Sequence, residues 1–126
     1  MNTPVNYPIA KLLKEKGFEQ NLEVGTICRI QNAVNKSYEK IRPIKQSDLE
    51  NQWSIFNEVY PTVDEVKWWL YEKHGVWISS TPVGKKFRYE IIPMEKQEKF
   101  EYSSFEYNSP TEAYEAAIEY TLNNLI

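Results

Sequence analysis

Two periods of hydrophobic and polar residues run through this chain. Val63, Val66 and Leu70, flanked by Trp69, recur at helical spacing. Ahead of them Thr62 and Glu65 form a capping box, in which side-chain groups satisfy the free backbone N–H groups of a helix start. Asp64 and Glu65 suit the positive end of the helix dipole, and Lys73 and His74 suit the negative end. Gly75 is a left-handed stop. The spacing predicts a helix over 62–74. Ser109, Pro110 and Glu112 open a second such segment. There Tyr114, Ala117, Ile118, Thr121 and Leu125 share one face, and Glu112, Glu115 and Glu119 the other. The small residues Ala113, Ala116 and Ala117 permit close approach to a sheet.

Between these helices the period changes to two. Val76 to Ser80 alternates as a strand, and Thr81 to Lys85 reads as a turn punctuated by Pro82 and Gly84. Phe87, Tyr89 and Ile91 then alternate with Arg88 and Glu90 until Pro93. Phe100, Tyr102, Phe105 and Tyr107 predict a third strand, with a bulge near Ser103-Ser104 where the face switches.

The first half is less regular. Pro8 sits at a helix start, Ile9, Leu12 and Leu13 share a face, and Gly17 ends the run, with Phe18 folding back. Leu22/Val24 and Ile27 to Ile30 read as short strands, and Asn32 to Gln46 as a polar, basic connecting loop. Ser47 and Glu50 match a capping box, and Leu49, Trp53, Phe56 and Tyr60 follow at helical spacing. A helix is therefore expected over about 48–58, stopped by Pro61.

These elements predict one α+β domain over residues 1–126. Residues 1–61 hold an N-terminal helix and an irregular or helical middle segment. Residues 62–126 hold an α-β-β-β-α core, with a small antiparallel sheet of about three strands packed on its two helices.

Composition narrows the function. The chain has 126 residues, enough for one domain with its own core. It carries four Trp and nine Tyr, more aromatic area than so small a core needs, so rings are expected at the surface. A net charge of −3 argues against a dedicated polyanion binder. The lone Cys28 excludes an internal disulfide and a multi-cysteine metal site. The first residues lack a basic, then apolar, leader pattern, and no segment has the apolar length of a membrane span. A cytoplasmic protein is expected.

Candidate chemistry is sparse. Cys28 and His74 are the single residues of their kinds, and a thiolate–imidazole pair would need them adjacent. A buried packing cysteine and a helix-terminal histidine explain both without catalysis. No Gly-rich phosphate loop, paired-His motif or Asp-rich ion loop is present, so no catalytic residue, metal or cofactor is assigned. Trp68 points away from the Val63/Val66/Leu70 stripe, toward Asp64 and Glu72. With its neighbour Tyr71 it marks a protein interface; the plainer alternative is a helix covered on two sides. Lys85, Lys86 and Arg88 at the hairpin turn, and Lys36, Lys40, Arg42 and Lys45 in the polar loop, offer phosphate contacts, against the plainer reading of solvated turns. Beyond Lys99 the chain has five Glu and no Lys or Arg, which makes the last helix a poor nucleic-acid surface.

The α-β-β-β-α order over 62–126, with Ala113, Ala116 and Ala117 in its last helix, resembles the double-stranded RNA-binding domain. That family carries lysines at the start of the last helix, whereas Ser109 to Glu115 here is acidic. The phrases Val66-Lys-Trp-Trp-Leu-Tyr-Glu-Lys-His-Gly-Val-Trp-Ile78 and Ser109 to Ile126 resemble small proteins of phages and mobile elements of gut Bacteroides-type bacteria, a family that implies a setting but no activity. The expectation is a non-enzymatic phage or prophage accessory protein acting through protein contacts or self-association. The alternative is a nucleic-acid-binding module.

Overall fold

The computed structural model describes residues 3–34, 39–95, 101–102 and 106–126. Among these residues four helices and six strands follow the order α1 (Tyr7–Glu15), β1 (Ile27–Asn32), β2 (Glu39–Pro43), α2 (Gln46–Glu50), β3 (Ser54–Val59), α3 (Val63–His74), β4 (Val76–Val83), β5 (Lys86–Pro93), β6 (Glu101–Tyr102) and α4 (Pro110–Asn124). The strands form two antiparallel sheets, ordered β2-β1-β3 and β4-β5-β6. The α+β class and the α-β-β-β-α order of the C-terminal half are as expected. Of the first sheet, the sequence pattern reveals only β1, expected at Ile27 to Ile30, and not its partners β2 and β3.

The helices begin and end where their caps dictate. Asn6 accepts from the Ile9 amide, Thr62 from Glu65 and Ser109 from Glu112. At the end of α1 the Phe18 amide donates to the Leu13 carbonyl, so the chain turns back and Phe18 packs on the core. Gly75 ends α3 with φ 63°, a conformation that an L-residue adopts only with strain. A Cβ at Gly75 would meet nothing within 4 Å. Gly75→Ala is therefore expected to lower stability by backbone strain alone, about 1 kcal/mol by urea denaturation. An unchanged or higher midpoint would contradict the left-handed cap.

One main core joins α1, α3, α4 and the second sheet. It contains Ile9 and Leu13, Val66 and Leu70, Ile78 and Ile91, and Ile118 and Leu122, all buried. The N-terminal segment is stitched on by Val5 N–H to the Pro61 carbonyl and Val63 N–H to the Thr3 carbonyl. A smaller core of Cys28, Ile30, Ile44 and Val59 lies against the first sheet, and Phe18 touches both cores. On α4 the buried stripe is Ala113, Ala117, Ile118, Thr121 and Leu122; Leu125, expected there, is exposed.

Four expectations about residues 19–61 need correction. The helix expected over 48–58 is only α2, and Ser54–Val59 is a strand. Asn51 accepts from the Trp53 amide in a local turn that ends the helix, and β3 then pairs with β1. The helical spacing of Leu49, Trp53, Phe56 and Tyr60 is coincidental, because long-range pairing outweighs local pattern. Ser47 is not the cap: the Asp48 carboxylate accepts from the Lys45 amide. Part of the expected loop over 32–46 is strand β2. Leu22 and Val24 are exposed and form no strand.

The turn expected at Thr81 to Lys85 is only Gly84-Lys85, and β4 runs through Pro82 to Val83. Phe87 exchanges both backbone bonds with Tyr107, so its opposite residue Pro82 turns its ring nitrogen to the free edge of β4, where no N–H is needed. Val76 and Ile78 on that edge are buried, so its first half is covered. Of the third strand, Glu101–Tyr102 and the Phe87–Tyr107 bridge are observed; the bulge at Ser103-Ser104 lies outside the described residues.

Candidate functional site

Trp68 is 53% exposed and Tyr71 40% exposed, on the flank of α3 that turns away from Val63, Val66 and Leu70. Both meet Trp77, which alternates with the buried Val76 and Ile78 on β4. The three rings touch edge to face, with centroids 5.6 Å apart for Trp68–Trp77 and Tyr71–Trp77 and 6.1 Å for Trp68–Tyr71. Such contacts fix each ring's orientation without covering it. Lys67 ties Trp77 to α4: its ammonium lies 5.8 Å from the Trp77 ring centroid and 4.4 Å from that of Tyr114. The sequence marked Trp68 and Tyr71 by their position off the helix stripe. Trp77 was missed, although its phase against Val76 and Ile78 was a signal.

On the other side of Trp68 runs a groove of about 1120 Å³, between α3 and the segment that links α1 to β1. Phe18, Trp68 and Trp69 supply its aromatic wall. Glu19, Glu23, Glu65 and Glu72 outnumber Lys16 and Lys73 along it. Trp69 packs edge-on against Phe18 and His74, at 5.3 Å and 4.8 Å.

Cys28 and His74 are not brought together. Cys28 is sealed in the smaller core, with its Sγ 3.7 Å and 3.9 Å from the carbonyl oxygens of Arg29 and Asn57. Burial pushes its thiol pKa up, which disfavours a thiolate. His74 is exposed at the end of α3 against Trp69. Among the described residues no group of three or more His, Cys, Asp or Glu is placed to hold a metal ion. Among the described residues no helix is long and apolar enough to cross a membrane.

The basic residues divide. Lys85 and Lys86 are exposed at the β4–β5 turn, while Arg88 is half-buried on the sheet face it shares with Glu90. Of the expected basic loop, Lys36 lies outside the described residues. Arg42 is committed to Asp48 by two bonds of 2.6 Å and 2.7 Å. This pair holds the Asp48 carboxyl at about 2, well below its usual value. A second two-bond pair joins Arg29 to Glu58 at 2.7 Å and 2.9 Å and holds Glu58 below the usual range. It forms because β3 places Asn57 and Glu58 opposite Arg29 alone, a bulge that brings the carboxylate round to the guanidinium.

No protein-family model, curated protein or solved structure matches this chain. The functional reading therefore rests on the site itself.

Proposed function

We propose that this protein is a non-enzymatic accessory protein, of a phage or other mobile element, that works through a protein interface centred on Trp68. One observation carries the reading. The Trp68 indole is half exposed, yet its orientation is set by Tyr71 and Trp77, and Lys67 lies over the Trp77 ring in turn. A ring presented in a fixed pose loses little freedom on binding, and tryptophan and tyrosine dominate the energetics of interfaces. The groove beside it extends the same surface. A cytoplasmic setting accords with this role.

The test is a pair of variants, Trp68→Ala and Tyr71→Ala. Both side chains are substantially exposed, so melting temperatures are expected to shift by only a few degrees. Binding is expected to weaken by roughly 30-fold or more for Trp68→Ala, the level of an interface hot spot. The readouts are sedimentation velocity, for self-association, and quantitative co-purification from cells that carry the gene. Identical oligomeric state and partners in wild type and both variants would contradict the proposal.

A further inference from the structure

The groove between α3 and the segment linking α1 to β1 combines exposed aromatic rings with carboxylates. On α3, Glu65 lies one turn before Trp68 and Glu72 one turn after it, and all three line the groove. The exposed indole is therefore flanked along the helix by two carboxylates, seven residues and about 10 Å apart. The opposite wall adds Glu19 and Glu23. Glu19, Glu23 and Glu72 are exposed and form no hydrogen bond or ion pair among the described residues. Glu65 accepts only from groups of its own helix cap, such as the Thr62 hydroxyl, so its charge remains.

Both helices that border the groove end on it. Lys16 and Gly17 follow the last turn of α1, Lys73 and His74 close α3, and all four line the groove. A helix C-terminus carries the negative end of the backbone dipole. Lys16 and Lys73 sit against those ends, and Lys16 also donates to the Ile126 backbone oxygen at 2.9 Å. Their charge is offset locally, so the four carboxylates leave the groove negative among the described residues.

We propose that this groove receives a basic, extended segment of a partner protein, with one arginine stacked on Trp68 between Glu65 and Glu72 and another facing Glu19 and Glu23. The proposal names the partner's chemistry and rests on the Trp68 interface proposed above. A guanidinium is planar and weakly hydrated; it stacks on an indole and pairs with carboxylates at once, which the compact ammonium of lysine does less well. Tyr71 and Trp77 hold the indole from outside the groove, which leaves its groove side to the cation. The same carboxylates repel a polyanion.

The probe is a fluorescein-labelled peptide of about nine residues with arginine at every third position and proline between. Such a peptide holds a polyproline II helix and sets its arginines on one face, about 9 Å apart. Its anisotropy with the whole chain is expected to rise at low salt, and binding to weaken as salt is added. The lysine counterpart is expected to bind about threefold more weakly. Glu19→Gln/Glu72→Gln, two exposed positions on opposite walls, is expected to weaken binding about tenfold, and Trp68→Ala roughly 30-fold. Glu50→Gln, on α2 outside the groove, is expected to leave it unchanged. Thermal unfolding of each variant separates loss of binding from loss of fold. Equal binding of a glutamate counterpart, or equal binding by wild type and Glu19→Gln/Glu72→Gln, would overturn the proposal. No peptide binding at low salt, alongside a dimer or partner complex that Trp68→Ala dissolves, would overturn the basic partner and leave the interface standing.

Discussion

Leu70→Ala is expected to destabilise the protein by about 3 kcal/mol, the largest effect of any single truncation named here. Leu70 is fully buried on α3, in the core that also holds Val66, Ile78, Ile91 and Ile118. Its removal opens a hole in the core that α1, α3, α4 and the second sheet share. The close-packed surroundings collapse only partly, so a cavity term adds to the lost transfer energy. Urea denaturation at neutral pH measures the change, and the melting temperature is expected to fall by roughly 10 °C. Leu49→Ala is the informative control. The helical stripe expected over 48–58 would bury Leu49, yet it is 40% exposed, so its truncation is expected to change stability by no more than about 0.5 kcal/mol. Equal losses for the two variants would contradict the assignment of the core.

The second large effect comes from Asp48. Its carboxylate accepts from both Arg42 nitrogens and from the Lys45 amide, so it ties β2 to the start of α2. Folding favours the ionised form, since its pKa in the folded chain is about 2 against an ordinary 3.8. The stabilisation, on the order of 2 kcal/mol, is complete above the unfolded value near 4 and disappears as pH falls through about 2. Glu58, depressed by Arg29, contributes in the same direction. Asp48→Asn is therefore expected to lower stability at pH 7 by about 2 kcal/mol. Its loss on acidification is expected to be shallower than that of wild type, with the Glu58 portion remaining. Unfolding free energies measured between pH 7 and pH 2 give both curves, and parallel curves would contradict this account.

The C-terminal half was legible because its signals are local. Thr62, Gly75, Ser109 and Pro110 mark helix ends through groups a few residues away, and Phe87 to Ile91 alternates without ambiguity. The region 39–59 was not legible because its structure depends on distant partners. β2 and β3 exist by pairing with β1, and nothing within Ser54 to Val59 declares that partner. The chance spacing of Leu49, Trp53, Phe56 and Tyr60 favoured a helix, while the turn at Asn51 was the overlooked sign against it.

The candidate sites divide in the same way. Trp68 and Tyr71 were visible because a helical wheel is a local property. Trp77 joins them through a contact between α3 and β4 that only the folded chain supplies. The helix expected over 48–58 puts Trp53 on its buried stripe; that helix does not form, and Trp53 is an exposed ring just before β3. The basic loop likewise changes meaning: two of its cations share one face of β2, and one of these is already bonded to Asp48.

The interface proposed at Trp68 is tested most directly by photo-cross-linking from position 71. A benzophenone amino acid in place of Tyr71 leaves Trp68 and Trp77 intact and places the reactive group on the same flank of α3. Irradiation in cells that carry the gene is expected to yield one discrete adduct, with a partner or a second copy, that is lost on adding Trp68→Ala. The same amino acid at exposed Lys11, on α1, is expected to yield none. A smear equal to that from position 11, or an adduct that persists without Trp68, would contradict the reading.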